Sequence, residues 1–150
     1  MPIWDKEGNE YRVECTMTGE KLIEWRVFDP GPPWIGVAAC ARKASDLRIH
    51  DLRLRDDLPG PRTFLQGLFG RPAPRVTYQR RGLGTELLKL VIGYAETSRC
   101  ETISGDITVE DIAANPRLVQ WYQHHGFAFS PAHAVGRLAG NITRPVDQQR

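Results

Sequence analysis

The stretch Gln79–Thr85 combines residue types that bind anions. It places two glycines and two arginines within seven residues, and a segment with helical spacing follows from Glu86 to Ser98. Glycine lets the backbone turn tightly and lets a ligand come close. The first turn of a helix presents unpaired N–H groups and a partial positive charge. The stretch therefore predicts a phosphate-binding loop, although a glycine turn before a helix is also common without a ligand.

The spacing of this stretch excludes two common phosphate signatures. The sequence lacks Gly-x-x-x-x-Gly-Lys-Ser/Thr, so the loop is not a P-loop, and it lacks the third glycine and downstream acid of a dinucleotide fingerprint. The pattern that fits from Gln79 to Gly84 is Gln/Arg-x-x-Gly-x-Gly/Ala.

A second informative segment runs from Asn115 to Phe127. Asn115 is a suitable N-cap and Pro116 a suitable first helical residue. Gly126 suits the left-handed position just beyond the helix, where Phe127 can add a hydrophobic contact. These signals predict a capped surface helix with Tyr122 on it, whatever its function.

The two segments, in this order and at this separation, resemble the two signatures of the GNAT superfamily of N-acetyltransferases. The resemblance extends from about Ile35 to Phe129. It implies that backbone N–H groups of the loop hold the pyrophosphate of acetyl-CoA, with added charge from an arginine, and that one strand pairs with the pantetheine arm. The cofactor-binding residues implied are Leu52, Arg53, Leu54, Gln79, Arg80, Arg81, Gly82, Leu83, Gly84, Thr85, Asn115 and Tyr122.

The resemblance also implies catalytic residues. Tyr122 matches the family's general acid, which protonates the departing thiolate, although a helical tyrosine is also a common core residue. The base is open. An imidazole changes charge near neutral pH, so His50 is one candidate, while Asp51 and Glu110 could act through water. Each of these three also fits an ordinary surface position.

The remaining pattern predicts the elements that position these residues. Alternating or compact apolar runs predict strands at 11–18, 22–28, 34–41, 47–54 and 102–109, and shorter strands at 127–129 and 134–138. An apolar stripe predicts a helix over 85–99, with Leu87, Leu88, Val91, Ile92 and Ala95 facing the core. The order, with the resemblance, predicts an α/β (α+β) acyl-CoA N-acyltransferase fold. Its sheet is mixed, mostly antiparallel, of six to seven strands, flanked by helices.

The fourth predicted strand changes phase in its middle. Leu47 and Ile49 are apolar at odd positions, whereas Leu52 and Leu54 are apolar at even positions. A strand has a period of two, so this slip indicates a β-bulge near His50. The alternative is a strand covered on both faces. In the GNAT fold the corresponding strand carries a bulge that helps to bind the thioester.

The chain departs from the family on the side that binds the acceptor. The family usually has two helices between its first two strands, and the residues between 18 and 22 leave no room for them. About twenty residues rich in proline and glycine, 56–77, are inserted before the loop. They form either a lid over the acceptor pocket or a solvated insertion. We expect a single domain over 1–150, with a core of about 11–138 and a polar tail of about 141–150.

Composition limits the alternatives. A length of 150 residues, 41% apolar, suits a globular domain, and a net charge of +2 does not favour nucleic acid. No run is long enough to span a membrane, and the polar N-terminus does not resemble a signal peptide. The cysteines, Cys15, Cys40 and Cys100, are odd in number and widely spaced. They predict reduced, mostly buried thiols in a cytoplasmic protein without a metal site.

Three functions remain. The first is an acetyl-CoA-dependent N-acetyltransferase that acts on a primary amine of a small molecule or a protein. The second is a non-catalytic GNAT-like domain that binds acyl-CoA as a sensor or interaction module, which the missing acceptor helices favour. The third is nucleic-acid binding through the basic segment 62–81, against which the balanced charge argues. A homodimer is a further expectation, because the trimmed face of the sheet needs cover.

Overall fold

The computed structural model describes residues 1–30, 33–55, 78–132 and 136–147. Within these ranges the chain forms one eight-stranded sheet and three helices. The strands are β1 (Pro2–Trp4), β2 (Glu10–Thr18), β3 (Leu22–Phe28), β4 (Trp34–Lys43), β5 (Asp46–Leu54), β6 (Thr102–Thr108), β7 (Ala128–Pro131) and β8 (Leu138–Pro145). The helices are α1 (Leu83–Thr97), α2 (Val109–Ala114) and α3 (Leu118–His124). The predicted insertion at 56–77 lies outside the described residues.

The sheet has the order β1-β2-β3-β4-β5-β6-β8-β7. Its neighbouring strands are antiparallel except for β5 and β6, which are parallel. The predicted mixed, mostly antiparallel α+β fold is therefore confirmed, with eight strands in the described residues where six to seven were predicted. The strand that sequence analysis missed is β1, which pairs with β2 and buries Ile3 to 4% exposure. A three-residue strand is too short to carry a periodic signal.

Helix α1 covers one face of the sheet, on β4 and β5. Its fully buried side chains are Leu83, Leu87, Leu88, Val91 and Ala95. The predicted apolar stripe is thus confirmed except at Ile92, which is only partly buried. The helix begins at Leu83, two residues before the predicted start, because Gly82 supplies the turn that opens it.

The opposite face of the sheet carries charged side chains on its strands β2, β3, β5 and β6, whereas β4 is buried on both faces. Buried and exposed positions alternate along β3 and β6, and along β2 as far as Glu14. The exposed positions carry ion pairs such as Arg26–Glu24 and Arg48–Asp106. A turn at residues 19–21 joins β2 directly to β3, so the expectation that no helix lies between them is confirmed.

One expectation about the C-terminal half is wrong. The predicted polar tail from 141 is part of β8, in which Ile142 pairs with both Gly105 of β6 and Phe129 of β7 and is 1% exposed. The predicted strand over 102–109 is confirmed as β6, which ends one residue earlier, at Thr108, because Val109 begins α2. The Thr108 hydroxyl accepts the Asp111 N–H, and the Asp111 carboxylate accepts the Thr108 N–H. This capping box starts the helix.

Candidate acyl-CoA site

The predicted phosphate loop forms the N-terminus of α1. Gly82 is the N-cap, with a left-handed φ of 88°, and no side chain caps the helix. The carbonyl of Gly82 accepts the first helical hydrogen bond, from Glu86 N–H at 3.1 Å. The N–H groups of Leu83, Gly84 and Thr85 therefore have no helical acceptor. They point out of the positive end of the helix dipole, which suits an anion.

The glycines of the loop leave room that a side chain would fill. A Cβ on Gly82 would lie 3.0 Å from Cγ and 3.3 Å from Cε of Lys6. A Cβ on Gly84 would lie 3.9 Å from the indole ring of Trp121. The loop backbone is therefore approached closely from two sides, by Lys6 and by Trp121. These residues fit a pyrophosphate held by backbone N–H groups.

The two arginines of the loop differ in their surroundings. Arg80 is exposed and has a left-handed φ of 62°. Arg81 turns inward: its guanidinium donates to the Tyr11 hydroxyl at 3.3 Å and lies 3.9 Å from the Asp5 carboxylate. It also stacks over the Tyr78 ring at 5.7 Å. The Arg81 charge is thus engaged with Asp5, and sequence analysis did not foresee this partner.

The predicted bulge lies at His50. Ala39 of β4 pairs with Asp51 and Cys40 pairs with Ile49, so His50 is the extra residue on β5. The bulge interpretation of the phase slip is confirmed, and the alternative of an unbroken strand covered on both faces is wrong. The His50 side chain is exposed.

Strands β5 and β6 separate at the same point. Their pairing ends at Ile49 with Gly105, although β5 continues to Leu54 and β6 to Thr108. Residues 52–54 remain paired with β4 on the other side. Their outer backbone edge has no partner strand among the described residues. This open edge, which includes Leu52, Arg53 and Leu54, is the segment that the resemblance assigns to pantetheine.

Tyr122 lies on α3, and the end of that helix fixes its position. Gly126 has a φ of 83°, its N–H bonds to the Gln123 carbonyl at 3.0 Å, and the Phe127 N–H bonds to the Tyr122 carbonyl at 3.1 Å. The rings of Tyr122 and Phe127 lie 5.3 Å apart. This is a Schellman motif with its hydrophobic contact, so the predicted C-terminal cap is confirmed.

The predicted N-cap of this helix is wrong. Asn115 is the C-cap of α2, and α3 begins at Leu118 with Arg117 as its N-cap. The Asn115 side-chain oxygen accepts the Arg117 N–H at 3.2 Å, so Asn115 stabilises the turn between the helices. Asparagine accepts a backbone N–H two residues on in such turns as readily as at a cap. The residue is exposed.

The Tyr122 side chain is buried, at 6% exposure, and its hydroxyl has no hydrogen-bond partner in the described part of the chain. Burial raises the pKa of Tyr122 well above its ordinary value, and the nearby charges of Asp111 and Asp51 add to the rise. The hydroxyl therefore keeps its proton at neutral pH, as a proton donor must.

Of the candidate bases, Asp51 has the environment closest to that of a base. Burial raises its pKa; the ion pair with Arg53, at 3.1 Å, opposes this rise, while the charges of Asp111 and Glu24 add to it. Glu110 differs, because its own backbone N–H and Arg137, at 2.8 Å, lower its pKa. A paired carboxylate with a lowered pKa is a poor proton acceptor.

A contact that the sequence did not reveal joins the loop to the tyrosine helix. The Trp121 indole N–H donates to the Thr85 hydroxyl at 3.3 Å, and its ring lies 4.8 Å from the Tyr122 ring. Asp111, whose charge acts on Tyr122, was not among the predicted site residues. The Thr108-x-x-Asp111 spacing of a capping box could have located it at the start of a helix.

Outside this site, the remaining candidates for function in the described residues are thiols, metal ligands and membrane-spanning helices. Cys40 and Cys100 are buried free thiols, as predicted, whereas Cys15 is exposed. In the described ranges, His, Cys, Asp and Glu side chains form no group that could hold a metal ion. Across those ranges, none of the helices has both the length and the apolar character to cross a bilayer.

Known structures with similar folds include two N-acetyltransferases and an acyltransferase. The ribosomal-protein-S18-alanine N-acetyltransferase from Escherichia coli superposes with a TM-score of 0.61 at 17% identity, over 89% of this chain and 74% of that one. The PaiA N-acetyltransferase from Thermoplasma acidophilum, in complex with coenzyme A, gives 0.58 at 11%, over 83% and 61%. A mutant of the cAMP-binding acyltransferase from Mycobacterium smegmatis gives 0.63 at 12%, over 97% and 46%.

These identities establish the fold alone, and no curated protein matches the sequence significantly. A sequence model of the acetyltransferase (GNAT) family, however, matches residues 35–127, which is more than half of the chain. The matched range contains the bulged strand, the glycine loop and the Tyr122 helix. This chain belongs to the GNAT family of acetyltransferases.

Proposed function

We propose that this chain is an acetyl-CoA-dependent N-acetyltransferase that transfers an acetyl group to a primary amine of a small molecule or a protein. One observation carries the proposal: the glycine loop and the helix that carries Tyr122 are joined by a side-chain contact, the hydrogen bond from Trp121 of α3 to Thr85 of the loop. The open edge of β5 begins just after the bulge at His50. Family membership supports acyl transfer in general.

The loop would hold the pyrophosphate through the N–H groups of Leu83, Gly84 and Thr85, with Arg80 as an exposed cation beside them. The open edge of β5 would pair with pantetheine as an added strand. Asn115 would contribute its amide N–H groups, since its side-chain oxygen is engaged with Arg117. Bound acetyl-CoA would supply the acetyl group as an activated thioester.

Two side chains would move protons. A primary amine such as that of lysine has a pKa of about 10.4, and it attacks the thioester only in its neutral form. Asp51 would accept the proton that the amine loses, directly or through water; its raised pKa makes it a stronger base than an ordinary aspartate. Tyr122 would donate its hydroxyl proton to the departing sulfur, and burial keeps that proton in place until then. His50 stays the alternative base.

A specific observation favours a second candidate, a non-catalytic acyl-CoA-binding domain that acts as a sensor or interaction module. The turn at 19–21 replaces the helices that usually help to form the acceptor side of the cleft. A chain without them could bind acyl-CoA and lack an acceptor pocket. The retained Tyr122 and the complete glycine loop argue for the enzyme.

Calorimetric titration of acetyl-CoA into the purified protein tests both candidates, with Gly82→Asp as the disabled variant. We expect the wild type to bind and Gly82→Asp to lose binding. Its carboxylate would face the pyrophosphate, and a Cβ at Gly82 would also press on the Lys6 stem. Release of free thiol in the presence of a panel of amines then separates the enzyme from the binding module.

Gly19→Asp is the matched control for Gly82→Asp. Gly19 also has a left-handed φ, of 63°, and it lies in the β2–β3 turn with no atom within 4 Å of an added Cβ. The control introduces the same charge and the same backbone strain away from the loop. Equal acetyl-CoA affinity in wild type and Gly82→Asp would contradict the loop assignment.

The partners proposed are acetyl-CoA and an amine acceptor, in the cytoplasm. The homodimer stays a prediction, but the structure weakens the reason given for it, which was that the trimmed face of the sheet needs cover. On the described residues the trimmed face carries paired charges such as Arg26 with Glu24, and a polar face is stable in water without cover.

A further inference from the structure

The N-terminal segment, residues 1–9, is docked onto the glycine loop. Its strand β1 pairs with β2, and Met1 and Val13 exchange hydrogen bonds at 3.2 and 2.9 Å. After β1 the chain turns back through Asp5 to Asn9 and contacts the loop. The segment lies outside the range that the family model matches.

Asp5 anchors this turn. Its carboxylate is fully buried and accepts the N–H groups of Glu7 and Asn9, each at 2.9 Å, and the Tyr11 hydroxyl at 3.1 Å. Arg81 of the loop lies 3.9 Å away. A buried carboxylate with this many donors holds the turn in one conformation. The residue that follows Asp5 is therefore held at a defined place beside the loop.

That residue is Lys6. Its backbone N–H donates to the carbonyl of Arg81 at 2.9 Å. Its aliphatic stem runs across Gly82, where a Cβ would be 3.0 Å from the Lys6 Cγ and 3.3 Å from Cε. The ammonium group is one bond beyond Cε, so it lies beside Gly82, the N-cap of α1, on a side chain that is exposed to solvent.

The Lys6 charge is available to a ligand. The neighbouring cations Arg81 and Lys89 have carboxylate partners, Asp5 at 3.9 Å and Glu86 at 2.7 Å. Lys6 forms no ion pair within the part of the chain that the structure describes. An unpaired ammonium beside free helix N–H groups adds to the attraction for a phosphate.

We propose that Lys6 is a phosphate-binding residue of this site and that its ammonium contacts the pyrophosphate of bound acyl-CoA. The N-terminal segment then completes the cradle from outside the family motif, and Gly82 is required partly because the Lys6 stem crosses it. The inference rests on the proposed function, since it assigns Lys6 to the same cofactor site.

The test is calorimetric titration of coenzyme A, dephospho-coenzyme A and pantetheine into wild type, Lys6→Met and Lys6→Arg. Methionine keeps an apolar stem over Gly82 and removes the charge. We expect Lys6→Met to weaken coenzyme A binding about fivefold, as for one ion pair in an exposed setting. The penalty should shrink at high salt, and Lys6→Arg should restore most of the affinity. Lys21→Met, an equal loss of charge in the distant β2–β3 turn, should bind like wild type.

The three ligands distinguish the phosphates. An equal penalty for coenzyme A and dephospho-coenzyme A, with none for pantetheine, supports contact with the pyrophosphate. A penalty that vanishes with dephospho-coenzyme A assigns Lys6 to the 3′-phosphate and overturns the proposal. A wild type that binds while Lys6→Met binds equally well overturns this inference alone. A folded wild type that does not bind coenzyme A overturns the proposed function and this inference together.

Discussion

At the scale of single residues, Tyr122 is the side chain on which the proposed proton transfer to sulfur depends. It is 6% exposed, yet its hydroxyl has no hydrogen-bond partner among the described residues. The hydroxyl is not among the fully buried unpaired polar atoms of the described residues, where Arg144 Nη1 is found instead. The ring is therefore held in the core while the hydroxyl stays free to meet a ligand, as a proton donor requires.

This argument predicts that Tyr122→Phe separates chemistry from stability. The variant loses no hydrogen bond within the described structure, so its free energy of unfolding should change by less than about 1 kcal/mol. Acetyl-CoA affinity should hold. Turnover should fall by about 10²-fold or more, since a general acid typically contributes that much. Urea unfolding, calorimetry and thiol release measure the three quantities.

Tyr94→Phe is the control for this prediction. Tyr94 lies on α1 with its ring 5.6 Å from that of Trp25, and it has no assigned role. It should leave turnover unchanged. Unchanged turnover in Tyr122→Phe would remove Tyr122 as the acid, and water or the thiol itself would then have to supply the proton.

The loop residues that act through their backbone could be identified from the sequence, whereas the surroundings of those that depend on distant side chains could not. Gly82 and Gly84 are recognisable by residue type and spacing. The environment of Arg81 depends on Asp5 and Tyr11, and its hydrogen-bond partner Tyr11 is 70 residues away in sequence. Local pattern carries no information about a pairing that the sheet creates.

At the scale of elements, the C-terminal end of α3 was predicted correctly from the sequence and its N-terminal end was not. The C-terminal end requires a residue with a left-handed φ, and Gly126 meets that requirement. The N-terminal end was mispredicted because Asn115 and Pro116 suit a turn as well as a cap. The bulge at His50 was predictable, since a phase change in a period-two pattern has few structural explanations.

The Schellman end predicts a clear cost for Gly126→Ala. Alanine at a φ of 83° is strained, and its Cβ would lie 3.2 Å from Nε of Arg144. We expect a loss of about 1–2 kcal/mol in the free energy of unfolding. Gly93→Ala is the matched control: Gly93 is within α1 with no atom within 4 Å of an added Cβ. It should be neutral or stabilising by up to about 1 kcal/mol. Equal urea midpoints for the two variants would contradict the strain argument.

At the scale of the whole molecule, α1 covers one face of the sheet, and the other face carries charge pairs on β3 and between β5 and β6, while β4 is buried on both faces. The alternation along β3 indicates that this part of the sheet has one solvent-exposed face. A solvent-exposed face does not need to be covered by the two helices that the family usually places after its first strand. The central position of β8 was not predictable from the sequence, because a short segment with few apolar residues has the composition of a polar tail. Its burial comes from its place between β6 and β7 in the sheet.

The acid stability of the whole molecule should depend on Asp5. Hydrogen bonds from the Asn9 side chain, and then from backbone N–H groups and Tyr11, lower the pKa of Asp5 from 3.8 to about 2. A carboxylate with a lowered folded pKa stabilises the fold fully above its unfolded pKa, and this contribution is lost as the pH falls through the folded value. Asp5→Asn should therefore be less stable than wild type at neutral pH, and the difference should narrow between pH 3.8 and about 2.

Urea unfolding of both proteins across this pH range measures the difference. Asp147→Asn, at an exposed aspartate near the end of the described chain, is the matched control and should follow wild type throughout. Parallel curves for wild type and Asp5→Asn would mean that the cluster does not depend on the Asp5 charge. Since Asp5 also holds the turn that presents Lys6, Asp5→Asn should weaken coenzyme A binding at neutral pH although Asp5 itself is buried away from any ligand. If Asp5→Asn lost stability but bound coenzyme A as tightly as wild type, the turn anchored by Asp5 would not be needed for phosphate binding.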